Sequence, residues 1–374
     1  MSAKSDQSKN IPQRTVLSID AMGGDRGPAP IVLGMAASAE KNSNLHFLVH
    51  GPKDELERLI SASQVLHGRC ELRHCEDAVS MTDKPSQIMR NGKATSMWSA
   101  LECVRNGQAE VCVSCGNTGA LMALSMVRLR KLSGVNRPAI AVLWPSRSKS
   151  GFNVMLDVGA DVRADSKDLF QYALMGVSYA RNGLQIPLPK VGLLNVGTEE
   201  HKGRSELREA HELIAQYEKS GDYKFVGFVE GGDIPSDKAD VIVTDGFTGN
   251  VALKTGEGTA QLIGELLREA FQYSPLSRLA QLLAVTSLQR LRKRIDPRRV
   301  NGGVFLGLNG IVVKSHGTAD ETGVSAAIKL AVALTSSNFS QKLAARVASV
   351  KTLTHHEENA TSKSGIKNDN QSSC

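Results

Sequence analysis

The residues best able to do chemistry in this chain lie in six short turns rich in glycine, aspartate, asparagine and threonine. The turns occupy residues 20–25, 114–119, 157–160, 195–199, 230–233 and 245–250. Glycine lets a backbone approach a ligand closely, and Asn, Asp and Thr supply donors, acceptors and helix caps. One such turn by itself is more often a simple chain reversal than a site. Six turns at one edge of a sheet would form a polar site, although we expect some of them to act only as caps.

The segment 195–206 is the best candidate for binding an anion. It reads Asn-Val-Gly-Thr-Glu-Glu-His-Lys-Gly-Arg-Ser-Glu, follows an apolar run and opens a helical pattern. The N–H groups and dipole of a helix N-terminus attract phosphate, and Lys202 would add a positive charge. Spacing alone favours a solvated surface lysine equally well.

Three familiar catalytic signatures are missing from the sequence. No complete Gly-x-Gly-x-x-Gly follows a strand, because Gly256-Glu-Gly258 lacks the third glycine, and neither a P-loop nor a Gly-x-Ser-x-Gly occurs. Dinucleotide binding, NTP hydrolysis and serine hydrolysis therefore lose support. Cys112 and Cys115 have the spacing of a metal or redox pair, but no second pair accompanies them, so we expect no metal site.

The elements that must position these turns alternate between strands and helices. Apolar, β-rich runs predict strands at 15–19, 45–49, 110–114, 139–143, 153–156, 190–194, 224–229, 240–243 and 311–314. Helical patterns occur at 54–64, 96–106, 167–181, 205–219 and 322–334. This alternation predicts an α/β fold of three layers, α/β/α, with a mainly parallel sheet that binds ligands beyond the carboxyl ends of its strands.

The region 257–299 has a different pattern, which predicts a helical hairpin projecting from the sheet. Helical patterns over 258–273 and 275–295 are separated by Ser274-Pro275, where proline permits a helix start and blocks smooth continuation. We expect the base of this hairpin to form a dimer core, as paired hairpins do in four-helix bundles.

The tip of the hairpin, 279–289, carries no charge and is followed by four basic residues at 290 and 292–294. This arrangement is typical of a helix lying on anionic lipid. The residues expected to contact the membrane are Leu276, Leu279, Leu282, Leu283 and Leu288.

Composition limits the class of protein. The chain has 374 residues, of which 41% are hydrophobic and 4% aromatic, together with 34 glycines, a balance that favours α/β architecture. The first ten residues are polar, so we expect no export signal. The sequence has no apolar run of about 20 residues, so we expect no membrane span. We expect a cytoplasmic protein with one domain over 14–345, flanked by disordered tails at 1–13 and 346–374.

The turns taken together resemble the PlsX family of bacterial phosphate acyltransferases. The likeness covers about 16–334 and rests on ordered motifs: Asp20-Ala-Met-Gly-Gly-Asp25, Ser114-Cys-Gly-Asn-Thr-Gly-Ala-Leu-Met122, Leu194-Asn-Val-Gly-Thr-Glu-Glu-His-Lys-Gly203, Phe228-Val-Glu-Gly-Gly-Asp233 and Val243-Thr-Asp-Gly-Phe-Thr-Gly-Asn-Val251. The sequence departs from the family pattern at Cys115, where a small residue such as Ala is expected. This departure affects none of the catalytic assignments.

The resemblance implies a fold similar to isopropylmalate dehydrogenase and phosphotransacetylase, a homodimer, and no cofactor. It also implies transfer of a fatty acyl group from acyl carrier protein to inorganic phosphate. The acyl phosphate would pass to a membrane glycerol-3-phosphate acyltransferase, with the protein attached peripherally to the inner face of the cell membrane and no nucleic acid involved. A thiolate with a pKa of about 8.5 leaves with little acid assistance, so no protein nucleophile is required.

The resemblance implies roles for individual residues as well. Lys202 would bind phosphate or the oxyanion, and Asn250 would position the acyl group or the oxyanion. The expected substrate-binding residues are Asp20, Gly23, Gly24, Asp25, Asn117, Thr118, Gly119, Asn195, Gly197, Thr198, Glu199, Gly203, Asp245, Gly246, Thr248, Gly249 and His316. The aspartates of this set are expected to orient donors, because a carboxylate touching phosphate would repel it. His316 would be a general acid or, preferably, a cap.

Two other functions stay open on the sequence alone. An NAD-dependent dehydrogenase could use the same fold, since fold does not fix function. The chain could also be a membrane-surface scaffold with a vestigial site, although a scaffold does not need so many polar turns.

Overall fold

The computed structural model describes residues 14–199, 201–295 and 302–348. The predicted tail 1–13 and most of the predicted tail 346–374 lie outside the described residues. Within them the chain builds an eleven-stranded sheet. The strands are β1 (Thr15–Asp20), β2 (Leu45–Gly51), β3 (Cys70–His74), β4 (Val111–Ser114), β5 (Ala139–Pro145), β6 (Phe152–Leu156), β7 (Lys190–Leu194), β8 (Lys224–Val229), β9 (Val241–Val243), β10 (Gly303–Leu306) and β11 (Ile311–Lys314).

The sheet is mainly parallel, but its two halves run in opposite directions. The spatial order is β3-β2-β1-β4-β11-β10-β5-β6-β9-β7-β8. Pairing is parallel from β3 to β11 and from β6 to β8, whereas β10 is antiparallel to both of its neighbours and β5 is antiparallel to β6. The strand β5 therefore lies where the two halves meet.

This topology corrects the prediction that all six polar turns lie at one edge. The turns after β1 and β4 face one edge of the sheet, and the turns after β6, β7, β8 and β9 face the opposite edge. The physical reason is the three successive antiparallel pairings, β11 with β10, β10 with β5 and β5 with β6, because an odd number of them reverses the direction of the following parallel strands. Periodicity within a strand carries no information about that reversal.

Helices cover both faces of the sheet, as predicted for a three-layer α/β/α fold. Their bounds are α1 (Ala29–Lys41), α2 (Lys53–Ser61), α3 (Pro85–Asn91), α4 (Ser96–Arg105), α5 (Thr118–Arg128), α6 (Ser166–Gly183), α7 (Ser205–Gln216), α8 (Gly246–Gln272), α9 (Pro275–Leu283), α10 (Val285–Ile295) and α11 (Glu321–Thr335), with further helical residues at 339–348. One buried cluster joins the sheet to α1, α2, α6, α7 and α11, and a second joins it to α4, α5 and α8. Alternation along the strands produces the two clusters: Val111 and Val113 belong to the first, and Cys112 between them belongs to the second.

The predicted helical hairpin is present with different bounds. The first helix begins at Gly246, twelve residues before the predicted start at 258, because the Asp245 side chain accepts the Thr248 N–H and caps α8. The second predicted helix is divided at Ala284 into α9 and α10.

The motif Asn117-Thr118-Gly119 lies at the start of a helix, because the Asn117 side chain caps α5.

Candidate functional site

A cavity of about 730 Å³ lies where the two halves of the sheet meet, between β5 and α8. Residues of β5 and the first half of α8 form its apolar wall: Ile140, Val142, Leu143, Trp144, Leu253 and Ala260. The other side is polar and includes Lys254, Glu257, Lys314, Ser315 and His316. One cavity therefore offers an apolar surface and a group of charged side chains.

The polar side brings two lysines and a histidine together. Lys254 Nζ lies 2.7 Å from Glu257 Oε2 and 3.2 Å from His316 Nε2, while His316 Nδ1 lies 2.9 Å from Thr318 Oγ1. Burial, together with the charges of Lys254 and Lys314, lowers the pKa of His316. Because an ammonium can only donate, a neutral His316 accepts from Lys254 at Nε2.

Lys314 is the last residue of β11 and extends into the same cavity. Its ammonium donates to the Ser315 carbonyl oxygen at 2.7 Å. Burial, with a smaller contribution from the nearby charge of Lys254, lowers the pKa of Lys314 to about 8 against the opposing effects of Cys115, Asp25 and Glu257. Lys314 therefore changes its protonation state in a physiologically relevant range.

Asp20 holds the turns after β1 and β4 against each other. Its buried carboxylate accepts hydrogen bonds from the hydroxyls of Ser96 and Ser114, each at 2.6 Å. Burial raises the pKa of Asp20, and these two hydrogen bonds oppose the increase. Gly23 packs directly against Gly116, where a Cβ would lie 2.6 Å from the Gly116 nitrogen. Asp20 and Gly23 thus shape the rim of the cavity and do not line it.

Of the other predicted residues in the turns after β1 and β4, some line the cavity and some do not. Asp25 and Thr118 line the cavity, and the Asp25 N–H donates to Gly317 O at 2.8 Å. Asn117 accepts the Ala120 N–H and donates to Met81 O, so it is a cap and a tether. Gly24 and Gly119 are placed next to these residues without lining the cavity.

Asn250 lies in the first turns of α8 and lines the cavity beside Gly159. The helix approaches the turn after β6 so closely that a Cβ at Gly249 would lie 1.9 Å from Asp157 O, and one at Gly246 would lie 2.0 Å from Asp161 O. Glycine at these two positions is what allows α8 to reach the cavity.

Asp157 fixes the turn that α8 approaches. Its buried carboxylate accepts the N–H groups of Ile140, Ala160 and Asp161 at 2.8–3.1 Å. Burial raises the pKa of Asp157 to about 6 in spite of these hydrogen bonds. The carboxylate therefore connects β5 to the turn after β6. This connection fixes the position of Gly159, which lies beside Asn250.

The loop that carries Lys202 lies beside the N-terminus of α8, and its residues do not line the cavity. Lys202 Nζ forms an ion pair with Glu199 at 2.7 Å, and this partner raises the pKa of Lys202. Asn195 donates to Lys202 O at 3.1 Å and so shapes the loop. Arg204 pairs with Asp245, the cap of α8, which connects the loop to the helix that carries Asn250.

The remaining predicted residues of this loop and of the α8 cap also lie outside the cavity lining. Gly197 packs against the Lys202 side chain, Gly203 has φ +89 and packs against Asn195, and Thr198 is exposed. Thr248 Oγ1 donates to Asp245 at 3.0 Å.

Of the predicted residues, the structure brings Asp25, Thr118, Asn250 and His316 together in the cavity lining. Sequence reasoning missed Lys254, Lys314 and Trp144. The signals for the lysines were local: Lys254 follows Asn250 by one helical turn, and Lys314 immediately precedes Ser315-His316-Gly317.

The described residues contain neither a metal-binding cluster nor a membrane-spanning helix. No group of three or more His, Cys, Asp or Glu side chains within 14–199, 201–295 and 302–348 is arranged to hold a metal ion. Among the same residues, no helix combines the length and apolarity needed to cross a bilayer.

Structural neighbours share the fold. A phosphotransacetylase from Streptococcus pyogenes matches with a TM-score of 0.55 at 16% identity, covering 86% of this chain and 94% of that one. The EutD phosphotransacetylase from Staphylococcus aureus matches with a TM-score of 0.54 at 16% identity and the same coverage. At this identity the likeness confirms the predicted fold and does not identify a reaction.

Sequence relatives are much more similar. A phosphate acyltransferase from Ruegeria pomeroyi is 64% identical over 371 residues, covering 99% of this chain and all of the relative. One from a Jannaschia species is 70% identical over 334 residues, covering 89% and 92%. The family model described as a fatty acid synthesis protein matches residues 15–342. The chain therefore belongs to the PlsX family of phosphate acyltransferases.

Proposed function

We propose that this protein is an acyltransferase that moves a fatty acyl group from acyl carrier protein to inorganic phosphate and supplies acyl phosphate for phospholipid synthesis. The observation that carries the proposal is the cavity, which combines an apolar wall with cationic side chains beside Asn250. The relatives named phosphate acyltransferase support the same reaction, and nothing in their names favours a dehydrogenase.

The reaction needs orientation and charge stabilisation more than a protein nucleophile. A phosphate oxygen attacks the thioester carbonyl carbon, a C–O bond forms, and the C–S bond then breaks. The proton of hydrogen phosphate balances the thiolate that leaves as the carrier protein's thiol. The protein must hold the two reactants at attack distance and stabilise the oxyanion of the tetrahedral intermediate.

Asn250 is proposed to donate its amide to the oxyanion from the Gly159 end of the cavity. Lys202 is proposed to bind phosphate or the oxyanion from the adjacent loop, where Glu199 now holds its ammonium. The loop is linked to α8 by the ion pair between Arg204 and Asp245, so a movement of the loop would shift the start of α8 and with it Asn250.

The acyl chain is proposed to lie along the apolar wall formed by β5 and α8. Each buried CH₂ group contributes about 0.8 kcal/mol, so a wall of this kind binds a long chain well. Trp144 closes part of the wall against Gly256, where a Cβ would lie 2.3 Å from the indole ring.

We further propose a homodimer that attaches peripherally to the inner face of the cytoplasmic membrane, near a glycerol-3-phosphate acyltransferase. The second half of α8 supports the dimer, because it exposes Leu262, Ile263, Leu266 and Leu267 on a helix that projects beyond the sheet. The α9 helix supports membrane contact: Leu276, Leu279, Leu282 and Leu283 are all more than half exposed, whereas Leu288 of α10 is partly buried.

A direct assay tests the reaction. Long-chain acyl carrier protein is incubated with the protein, and loss of the thioester is followed with and without phosphate. We expect loss that requires phosphate and releases acyl phosphate. Protection against thermal unfolding by NAD and not by phosphate would contradict the proposal and favour a dehydrogenase.

A further inference from the structure

Lys254 and Lys314 approach the cavity from two elements distant in the sequence. Lys254 lies on α8, two turns after its start, and Lys314 ends β11. The two ammonium groups affect each other electrostatically, because the charge of Lys254 lowers the pKa of Lys314. Two like charges in a partly desolvated cavity repel, and an anion between them removes that cost.

The partners of the two lysines leave donors available. Glu257 and His316 occupy two donor directions of Lys254, and the Ser315 carbonyl occupies one of Lys314. An ammonium has three donors, so each lysine keeps at least one for a ligand. Within the described part of the chain, Lys314 has no ion pair within 4.0 Å, and its ammonium donates to a neutral carbonyl.

Besides the two lysines, this side of the cavity has a neutral imidazole, His316, and two carboxylates, and these groups can interact with hydrogen phosphate. The two carboxylates are those of Asp25 and Glu257. A carboxylate repels phosphate unless a proton lies between them, and hydrogen phosphate, unlike sulfate, carries an O–H group that can donate to Asp25 or Glu257 while its other oxygens accept from the lysines.

We propose that Lys254 and Lys314 bind the phosphate co-substrate inside the cavity, with His316 positioning Lys254. This assignment rests on the proposed function and adds a second cationic site to the one predicted at Lys202. The bound phosphate would lie on the cavity side of Asn250, next to the apolar wall that receives the acyl chain. Both reactants would then meet within one cavity.

Steady-state kinetics with phosphate as the varied substrate tests the assignment. Lys254→Met and Lys314→Met are each expected to raise the KM for phosphate by about 10- to 100-fold, the effect of losing one charge-assisted hydrogen bond. The KM for acyl carrier protein should change little. Lys329→Met, which removes an exposed lysine from α11, is the matched control and should behave as the unchanged protein.

A pH series separates a charge role from a structural one. The charged groups that affect Lys314 are Lys254 and Glu257 of α8 and Asp25 of the turn after β1, and burial keeps the Cys115 thiol neutral by raising its pKa to about 11. Since Lys314 loses its proton as the pH rises through about 8, the KM for phosphate should increase above that pH. Lys314→Arg stays charged and should weaken this increase. Comparing the two proteins at each pH cancels the titration of phosphate itself.

The outcomes are distinct. A fall in kcat with an unchanged KM for phosphate in both Met variants would overturn the assignment, as would a large KM increase in Lys202→Ala alone. If the unchanged protein consumes no thioester in the presence of phosphate, the proposed function itself is wrong. Phosphate binding by the same protein, measured by calorimetry and lost in Lys314→Met, would still support the site in that case.

Discussion

At the scale of single residues, the predicted catalytic pair is testable because neither side chain supports the core. Asn250 and Lys202 are both exposed. We expect Asn250→Ala and Lys202→Ala each to lower turnover by about 100-fold or more, because a donor to the oxyanion contributes mainly in the transition state. Turnover is measured at saturating substrates, with circular dichroism as the control for folding. Near-normal turnover in both variants would refute the assignment.

Asp20 has a structural role that predicts a different result. Its carboxylate is buried and accepts two serine hydroxyls from separate elements, Ser96 and Ser114. Asp20→Ala leaves both hydroxyls without this partner, so we expect the free energy of unfolding to fall by about 2–4 kcal/mol. Urea unfolding measures the change. Asp25→Ala, at an exposed position of the same turn, should be much less destabilising.

At the scale of elements, α8 decides the shape of the apolar wall. Gly256 faces Trp144, so a larger side chain there must displace the indole ring that lines the cavity. We expect Gly256→Leu to lower kcat/KM for a sixteen-carbon acyl chain by about tenfold or more relative to a four-carbon chain, because each CH₂ displaced from the wall loses about 0.8 kcal/mol. The ratio of the two kcat/KM values is the measurement.

The same helix provides a matched control. A Cβ at Gly258 would have no neighbour within 4 Å, so Gly258→Leu changes helix propensity in the same way without touching the wall. Equal losses for both chain lengths in Gly256→Leu would show that the wall does not bind the acyl chain.

At the scale of the whole molecule, the exposed leucines of α9 predict reversible attachment to lipid. Leu282 and Leu283 are 70% and 81% exposed, and no charged residue lies between 279 and 289. We expect Leu282→Glu plus Leu283→Glu to abolish co-sedimentation with anionic vesicles, because it removes apolar contacts and adds repulsive charges. The proposed dimer and the activity without vesicles should be largely unchanged.

A second double variant controls for added charge alone. Val162 and Leu188 are 68% and 58% exposed and lie outside α8–α10, so Val162→Glu plus Leu188→Glu should still bind vesicles. Dissociation of the α9 variant into monomers that still bind vesicles would instead make these leucines a subunit interface.

The sequence by itself determined the fold class, the family and most strand positions. Local alternation and β-branched runs specify a strand wherever it pairs, so 190–194, 224–229 and 311–314 were predicted with the observed bounds. Of the predicted site residues, Asp25, Thr118, Asn250 and His316 line one cavity, and their roles there stay predictions.

Only the tertiary structure decided the direction of the two half-sheets and the position of the cationic side chains. The reversal at β10 and β5 depends on pairing between segments more than 150 residues apart, Val304 with Ala141, which no local pattern records. Lys254 and Lys314 have no distinguishing pattern in the sequence, and they share a cavity only because α8 comes within hydrogen-bond distance of His316, just after the end of β11. The close approach of that helix depends in turn on Gly246 and Gly249 against the turn after β6, a packing contact between distant parts of the chain.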